Sequence, residues 1–276
     1  RLLHQAAAAR ADVQGLDSAL QQLEARQAAT AVHHVALWDT LADQGRPDDA
    51  VSRASAYDRI PTAPHDAAVL AHGWNRLGLR SRALDFLREQ ATAYGPAAEV
   101  WRAYYDLLIE AGIWSELETA SAKARLLATR QDALHAETLI ARLHMAVTLR
   151  RLSETREIAA DLQPIENLPP LTALRAAAAL RRAGAPTQAL AVLQRHHEDP
   201  LPAAWWAEFF ACAHASADIP AMKRAIEALV RLEPDSVRLQ SNQAALLLLT
   251  GENPAEAARL TLAVHTRAPR SPEARL

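Results

Sequence analysis

Apolar residues recur at helical spacing along nearly the whole chain, in runs that polar and turn-forming residues interrupt at a regular interval. The interruptions are Gly15, Gly45, Gly78, Gly112, Gly184 and Gly251, with two weaker corners at Leu152-Ser153 and Ala217-Asp218. Successive corners lie 30, 33, 34, 40, 32, 33 and 34 residues apart. An interval of about 34 residues is the period of a helix-turn-helix array, not of a propeller blade or a leucine-rich horseshoe.

Each corner is predicted to end one helix and open another. Residues suited to a helix N-terminus follow them: Pro47-Asp48-Asp49, Ser81, Ser115-Glu116, Ser153-Glu154, Pro186-Thr187, Pro220 and Asn253-Pro254-Ala255-Glu256. A small residue stands five or six positions past a corner at Ala50, Ala83, Ala189 and Ala257. Proline, which cannot continue a helix, follows 12 to 18 residues past a corner at Pro61, Pro96, Pro164, Pro200, Pro234 and Pro269. Two independent punctuations with one period predict a stack of helical hairpins.

These residues resemble the tetratricopeptide repeat (TPR) family, whose pattern opens the first helix with a bulky residue and closes the second with proline. The resemblance is strongest where Trp101 lies eleven residues before Gly112, with Tyr104, Tyr105 and Leu108 following, and again at Trp206, Phe209 and Phe210. The last repeat runs from Asn242-Gln243-Ala244-Ala245-Leu246-Leu247 into Gly251, Ala257 and Pro269. His34, Ala67 and Ala173 take the tryptophan position elsewhere, and the unit at Leu152 departs most. The resemblance implies an all-α, right-handed α-solenoid of about seven to eight stacked helix-turn-helix units. Residues 31–270 form the expected array, 1–30 an atypical capping hairpin turning at Gly15, and 271–276 a tail.

Composition agrees. Half of the 276 residues are hydrophobic, alanine dominates, and only 5% are aromatic, which favours helix everywhere outside the corners. Thirty basic residues against 32 acidic ones leave a net charge of −2, so neither nucleic acid nor an anionic membrane is an expected partner. Only Lys123 and Lys223 are lysines. That arginine bias reads as GC-rich coding in a bacterial repeat protein. Starting at Arg1 and stopping at Leu276, the chain reads as excised from a longer polypeptide. The expected compartment is cytoplasmic, or periplasmic if a targeting segment precedes Arg1.

Catalytic patterns are absent from the sequence: no phosphate-binding loop, dinucleotide fingerprint, H-E-x-x-H, C-x-x-C or nucleophile elbow occurs. Cys212 is the single cysteine and reads as a buried, inert thiol beside Phe209 and Phe210. The histidine clusters His33-His34 and His196-His197-Glu198-Asp199 place neighbours about 100° apart on a helix, unsuited to sharing one ion, and His65 with His72 lacks a third ligand. No metal or cofactor is therefore expected. The six tryptophans read as core, although Trp205 and Trp206 are adjacent and only one is expected to face the seam squarely.

A groove remains. The resemblance implies that first helices line a concave side, where side chains not spent on packing take up a peptide or protein segment. Counting along the family's groove-facing positions gives His65, His72, Asn75 and Arg76, then Arg102 and Asp106, then Arg142, Arg175 and Arg181, and finally His214 and Asn242. Arg102, Arg142 and Arg175 recur near one phase, which is either a guanidinium ladder for an acidic segment or three solvated arginines paired with acids such as Glu99 and Asp106. The lysine-asparagine pair with which family members clamp a chaperone's C-terminal carboxylate is missing. The expected function is a non-enzymatic interaction scaffold, with a regulatory or substrate-docking region of a longer enzyme or secretion protein as the alternative.

Overall fold

The computed structural model describes residues 12–129, 132–196 and 201–267, which carry fifteen α-helices and no strand. The helices are α1 (Val13–Ala25), α2 (Ala31–Asp43), α3 (Pro47–Ala56), α4 (Pro64–Arg76), α5 (Arg80–Ala93), α6 (Ala98–Ala111), α7 (Trp114–Leu127) and α8 (Ala133–Thr148). They continue as α9 (Leu152–Leu162), α10 (Pro170–Arg182), α11 (Pro186–Gln194), α12 (Ala203–Ala215), α13 (Ile219–Leu232), α14 (Val237–Thr250) and α15 (Pro254–Arg267). Contacts divide the chain between Met145 and Ala146, inside α8, into two compact units.

The corners share one backbone device. A left-handed residue occupies each of them: Gly45, Gly78, Gly112, Arg150, Gly184, Ala217 and Gly251, with φ between 56° and 80°. At the first six, the amide after the left-handed residue donates back five residues at 2.8 to 2.9 Å, as Arg46 N does to Leu41 O and Asp218 N to Ala213 O. This is the Schellman closure, which satisfies carbonyls that the helix end would otherwise leave without partners. The corner expected at Leu152-Ser153 therefore lies two residues too late, because Arg150 makes the turn and Leu152 already opens α9. Gly15 is no corner either. It sits in the first turn of α1, where the Asp12 side chain accepts its amide hydrogen at 3.0 Å.

In the first unit α2 packs on α4 and α4 on α6, with the second helices filling in behind. The small residues expected early in the second helices, Ala50 and Ala83, are wholly buried, as are Ala189 and Ala257 in the second unit. Gly73 lets α4 approach α2 closely: a Cβ there would stand 2.7 Å from a Val35 methyl. An edge-to-face file of aromatics runs from Trp38 to Tyr57 (5.7 Å), Trp74 (6.4 Å) and Phe86 (5.2 Å). The Trp74 indole donates to Ala54 O at 2.9 Å and that of Trp101 to Gly95 O at 2.7 Å, so the buried N–H groups are satisfied.

The second unit pairs α10 with α11, α12 with α13 and α14 with α15, and α12 packs on both α10 and α11. That double contact buries both adjacent tryptophans, where only one was expected to face the seam. Trp205 meets His196 edge-on at 5.0 Å and Trp206 meets Phe209 at 5.6 Å. His196 lies beyond the end of α11. His197, Glu198, Asp199, Pro200 and Pro269 lie outside the described residues.

Candidate functional site

The first helices of the first unit carry a strip of polar side chains joined from one repeat to the next. The Arg76 guanidinium grips Asp39 on α2 with both ends of its fork, Nε to Oδ1 at 3.1 Å and Nη2 to Oδ2 at 2.6 Å. Asn75 Nδ2 donates to Glu110 Oε2 on α6 at 2.9 Å, and Arg80 donates to the other oxygen of Glu110 at 2.7 Å and to Asn75 Oδ1 at 3.0 Å. His65 Nδ1 stands 3.9 Å from Glu99. Arg102 pairs with Glu137 on α8 at 3.7 Å rather than with Glu99 or Asp106. Most of these pairs are half exposed, where an ion pair contributes about 0 to 1 kcal/mol.

In the second unit Arg181 holds Glu208 on α12 in the same forked manner, at 2.6 and 3.1 Å. That hydrogen bond is the first cause of a raised Arg181 pKa. Glu208 also lies 3.6 Å from Cys212 Sγ, and burial first, the carboxylate second, push the thiol up to about 12. Such a thiol stays protonated and unreactive at neutral pH. His214 is exposed and stacked on Phe210 at 6.2 Å. Asn242 lines a cleft of about 240 Å³ between α12, α13 and α14.

Position along each first helix decides which candidates share a face. Counted back from the left-handed residue of its own corner, His65 lies 13 positions ahead, Arg102 10, His72 and Asp106 6, Asn75, Arg181 and His214 3, and Arg76 2. Arg142 lies 8 ahead of Arg150, and Arg175 and Asn242 lie 9 ahead of Gly184 and Gly251. Each position turns a helix by about 100°. Arg102, Arg142 and Arg175 therefore do not recur at one phase; their recurrence depended on placing the fourth corner two residues late. Arg142 and Arg175 are half-buried, and both carry polar interactions.

The acids that complete the strip, Asp39, Glu110, Glu137 and Glu208, escape a search for groove cations. Their signal is a carboxylate about one repeat away from a candidate: 37 residues for Asp39 and Arg76, 35 for Asn75 and Glu110, 35 for Arg102 and Glu137. Two of the histidines, His33 and His34, are absorbed locally. His33 Nδ1 accepts from the Thr30 amide at 3.0 Å and caps α2, and His34 is buried with Nε2 3.6 Å from Glu24. Among the described residues no group of three or more His, Cys, Asp or Glu side chains is arranged to hold a metal ion. No helix among them is long and apolar enough to cross a membrane.

No family model matches the sequence, and no curated protein matches it. Solved structures similar to it include a chain of the APC/C hetero-tetramer Cut9–Hcn1, at 13% identity over 95% of this chain and 51% of that one, with a TM-score of 0.42. A tetratricopeptide repeat protein from Parabacteroides merdae is 15% identical over 86% of this chain and 92% of its own, with a TM-score of 0.39. A chain of Naa15/Naa10 bound to HypK-THB is 15% identical over 94% of this chain and 46% of that one, with a TM-score of 0.35. This chain thus spans about half the length of the first and third. On its own corners and helix pairing, the chain is a TPR-like, all-α helical-repeat protein.

Proposed function

We propose that the chain is a non-enzymatic protein-interaction scaffold that takes an acidic peptide or protein segment along its first helices. The observation that carries this reading is the polar strip, in which His72 and Asp106 hold one phase on successive helices and Arg76 presents a forked guanidinium beside them. Arg76 is half exposed, and its pair with Asp39 is of the kind that contributes little to stability. Exchanging Asp39 for a partner's carboxylate is therefore inexpensive, while the planar fork supplies direction. His65, Asn75 and Arg102 extend the same strip in the first unit, and Arg181, His214 and Asn242 supply polar positions on the first helices of the second.

A photo-crosslinking amino acid at position 72 or 106, compared with one at Glu89 or Arg125 on the second helices, tests the assignment in extract of the source cells. A protein adduct formed at 72 and 106 and competed by an acidic peptide supports it. Adducts confined to 89 or 125, or none at 72 and 106, overturn it.

A further inference from the structure

Away from the polar strip, between the second helices α5 and α7, lies a cleft of about 450 Å³. That volume falls within the roughly 300 to 1,000 Å³ of small-molecule sites. Its floor is apolar, formed by Ala91 of α5, Ala120 of α7 and the buried Trp101 of α6. The two ends differ in charge state. At one end Arg88 Nε donates to Glu116 Oε1 at 2.8 Å and Nη1 to Asp85 Oδ1 at 2.7 Å, and the Tyr104 hydroxyl donates to the same Glu116 oxygen. The cation there is matched by two carboxylates, so that end offers a ligand anion no net positive charge.

At the other end Lys123 Nζ reaches across from α7 to donate to Thr92 Oγ1 on α5 at 2.6 Å. No carboxylate among the described residues lies within ion-pairing distance of it, whereas the only other lysine, Lys223, is paired with Glu252. An ammonium has three donors, and one is used. Lys123 thus hangs over the mouth of an apolar cleft with its charge uncompensated. Glu116 and Lys123 are seven residues apart on one helix, about 10 Å, which is the length of a fused bicyclic ring with a carboxylate.

We propose that this cleft binds a small apolar carboxylate, its ring lying on Ala91, Trp101 and Ala120 and its carboxylate on Lys123 Nζ. Glu116 at the far end excludes a second anionic group, so the fitting ligand is a monoanion with one charged end. The site lies between two second helices over Trp101 and Tyr104 of α6 and shares no residue with the strip.

The test titrates 2-naphthoate into the ¹⁵N-labelled full chain and reads the Trp101 indole N–H resonance, with neutral 2-naphthamide as the comparison. Saturable binding of 2-naphthoate, about five- to tenfold tighter than that of the amide, is expected from one charge-assisted contact at a solvent-facing lysine. Lys123→Gln should abolish that preference, and Thr119→Phe or Ser115→Leu, both at exposed rim positions, should block both compounds while the helical circular dichroism stays that of the parent. Absence of saturable 2-naphthoate binding, a preference that survives Lys123→Gln, or binding that survives both rim substitutions overturns the proposal.

Discussion

The guanidinium of Arg102 on α6 stands 3.7 Å from the carboxylate of Glu137 on α8, whose side chain is wholly buried while that of Arg102 is 22% exposed. Removing water from a carboxylate is costly, and a nearby cation offsets part of that cost. Arg102 thus supports the stack as well as lining the strip. Arg102→Gln should lower stability by about 1 to 2 kcal/mol, less than the loss of a fully buried pair because Glu137 keeps further polar interactions. Thermal unfolding checks it: an unchanged midpoint would show that Glu137 does not depend on this arginine.

Helix pairing was legible because glycine holds five of the seven left-handed corner positions among the described residues. Ala217 was found without glycine, since Asp218 beside it caps α13 through a bond from the Ala221 amide at 2.9 Å. Arg150 had no such marker, and the corner slid onto Leu152. Gly15 misled for the opposite reason: Asp12 starts a helix ahead of it, so a flexible residue is carried in an ordinary helical turn. The candidate site was half legible. Its cations follow from a repeat register, but Asp39, Glu110, Glu137 and Glu208 meet them only after the hairpins stack. The cleft over Trp101 was not legible at all, because Ala91 and Ala120 read as ordinary small residues on separate helices.

Ala217 sits at φ 57°, where a Cβ crowds the backbone and glycine does not. Ala217→Gly should therefore raise stability by about 1 kcal/mol, against the usual direction for glycine substitutions. Gly184→Ala, at φ 80° with open space around its Cα, should lower it by a similar amount. Chemical denaturation midpoints of the two variants should move in opposite directions; a shared direction would deny that backbone conformation governs these corners.

Burial pushes the Tyr105 hydroxyl up to about 12, opposed by its bond to Thr138 Oγ1 at 3.1 Å, and the hydroxyls of Tyr57, Tyr94 and Tyr104 are also raised, each first by burial. An unfolded tyrosine titrates at about 10. Below that pH both states hold the proton and the stabilising contribution is complete. Between about 10 and 12 the unfolded chain releases a proton that folded Tyr105 keeps, so stability should fall by up to about 1.4 kcal/mol per pH unit from this residue alone. Phenolate absorbance should rise together with loss of helicity, and Tyr105→Phe should make the alkaline decline shallower. Tyrosine ionisation near pH 10 in a fully helical protein would contradict the burial.

Phase separates two accounts of the arginines. If partners lie along the strip that joins Asp39, Arg76, Asn75 and Glu110, then Arg76→Gln should weaken capture of the protein crosslinked at position 72 by about tenfold, the loss of one charge-assisted contact. Its melting midpoint should barely move, because an exposed pair contributes so little. Binding by the parent should also weaken with salt, and the variant should show a smaller salt dependence. Arg142→Gln, whose position 8 ahead of its corner lies about 120° round the helix from that of Arg76, should leave capture close to that of the parent. The opposite pattern, with Arg142 required and Arg76 dispensable, would place the partner on a different face of the first helices, and the strip would then serve only to hold neighbouring repeats in register.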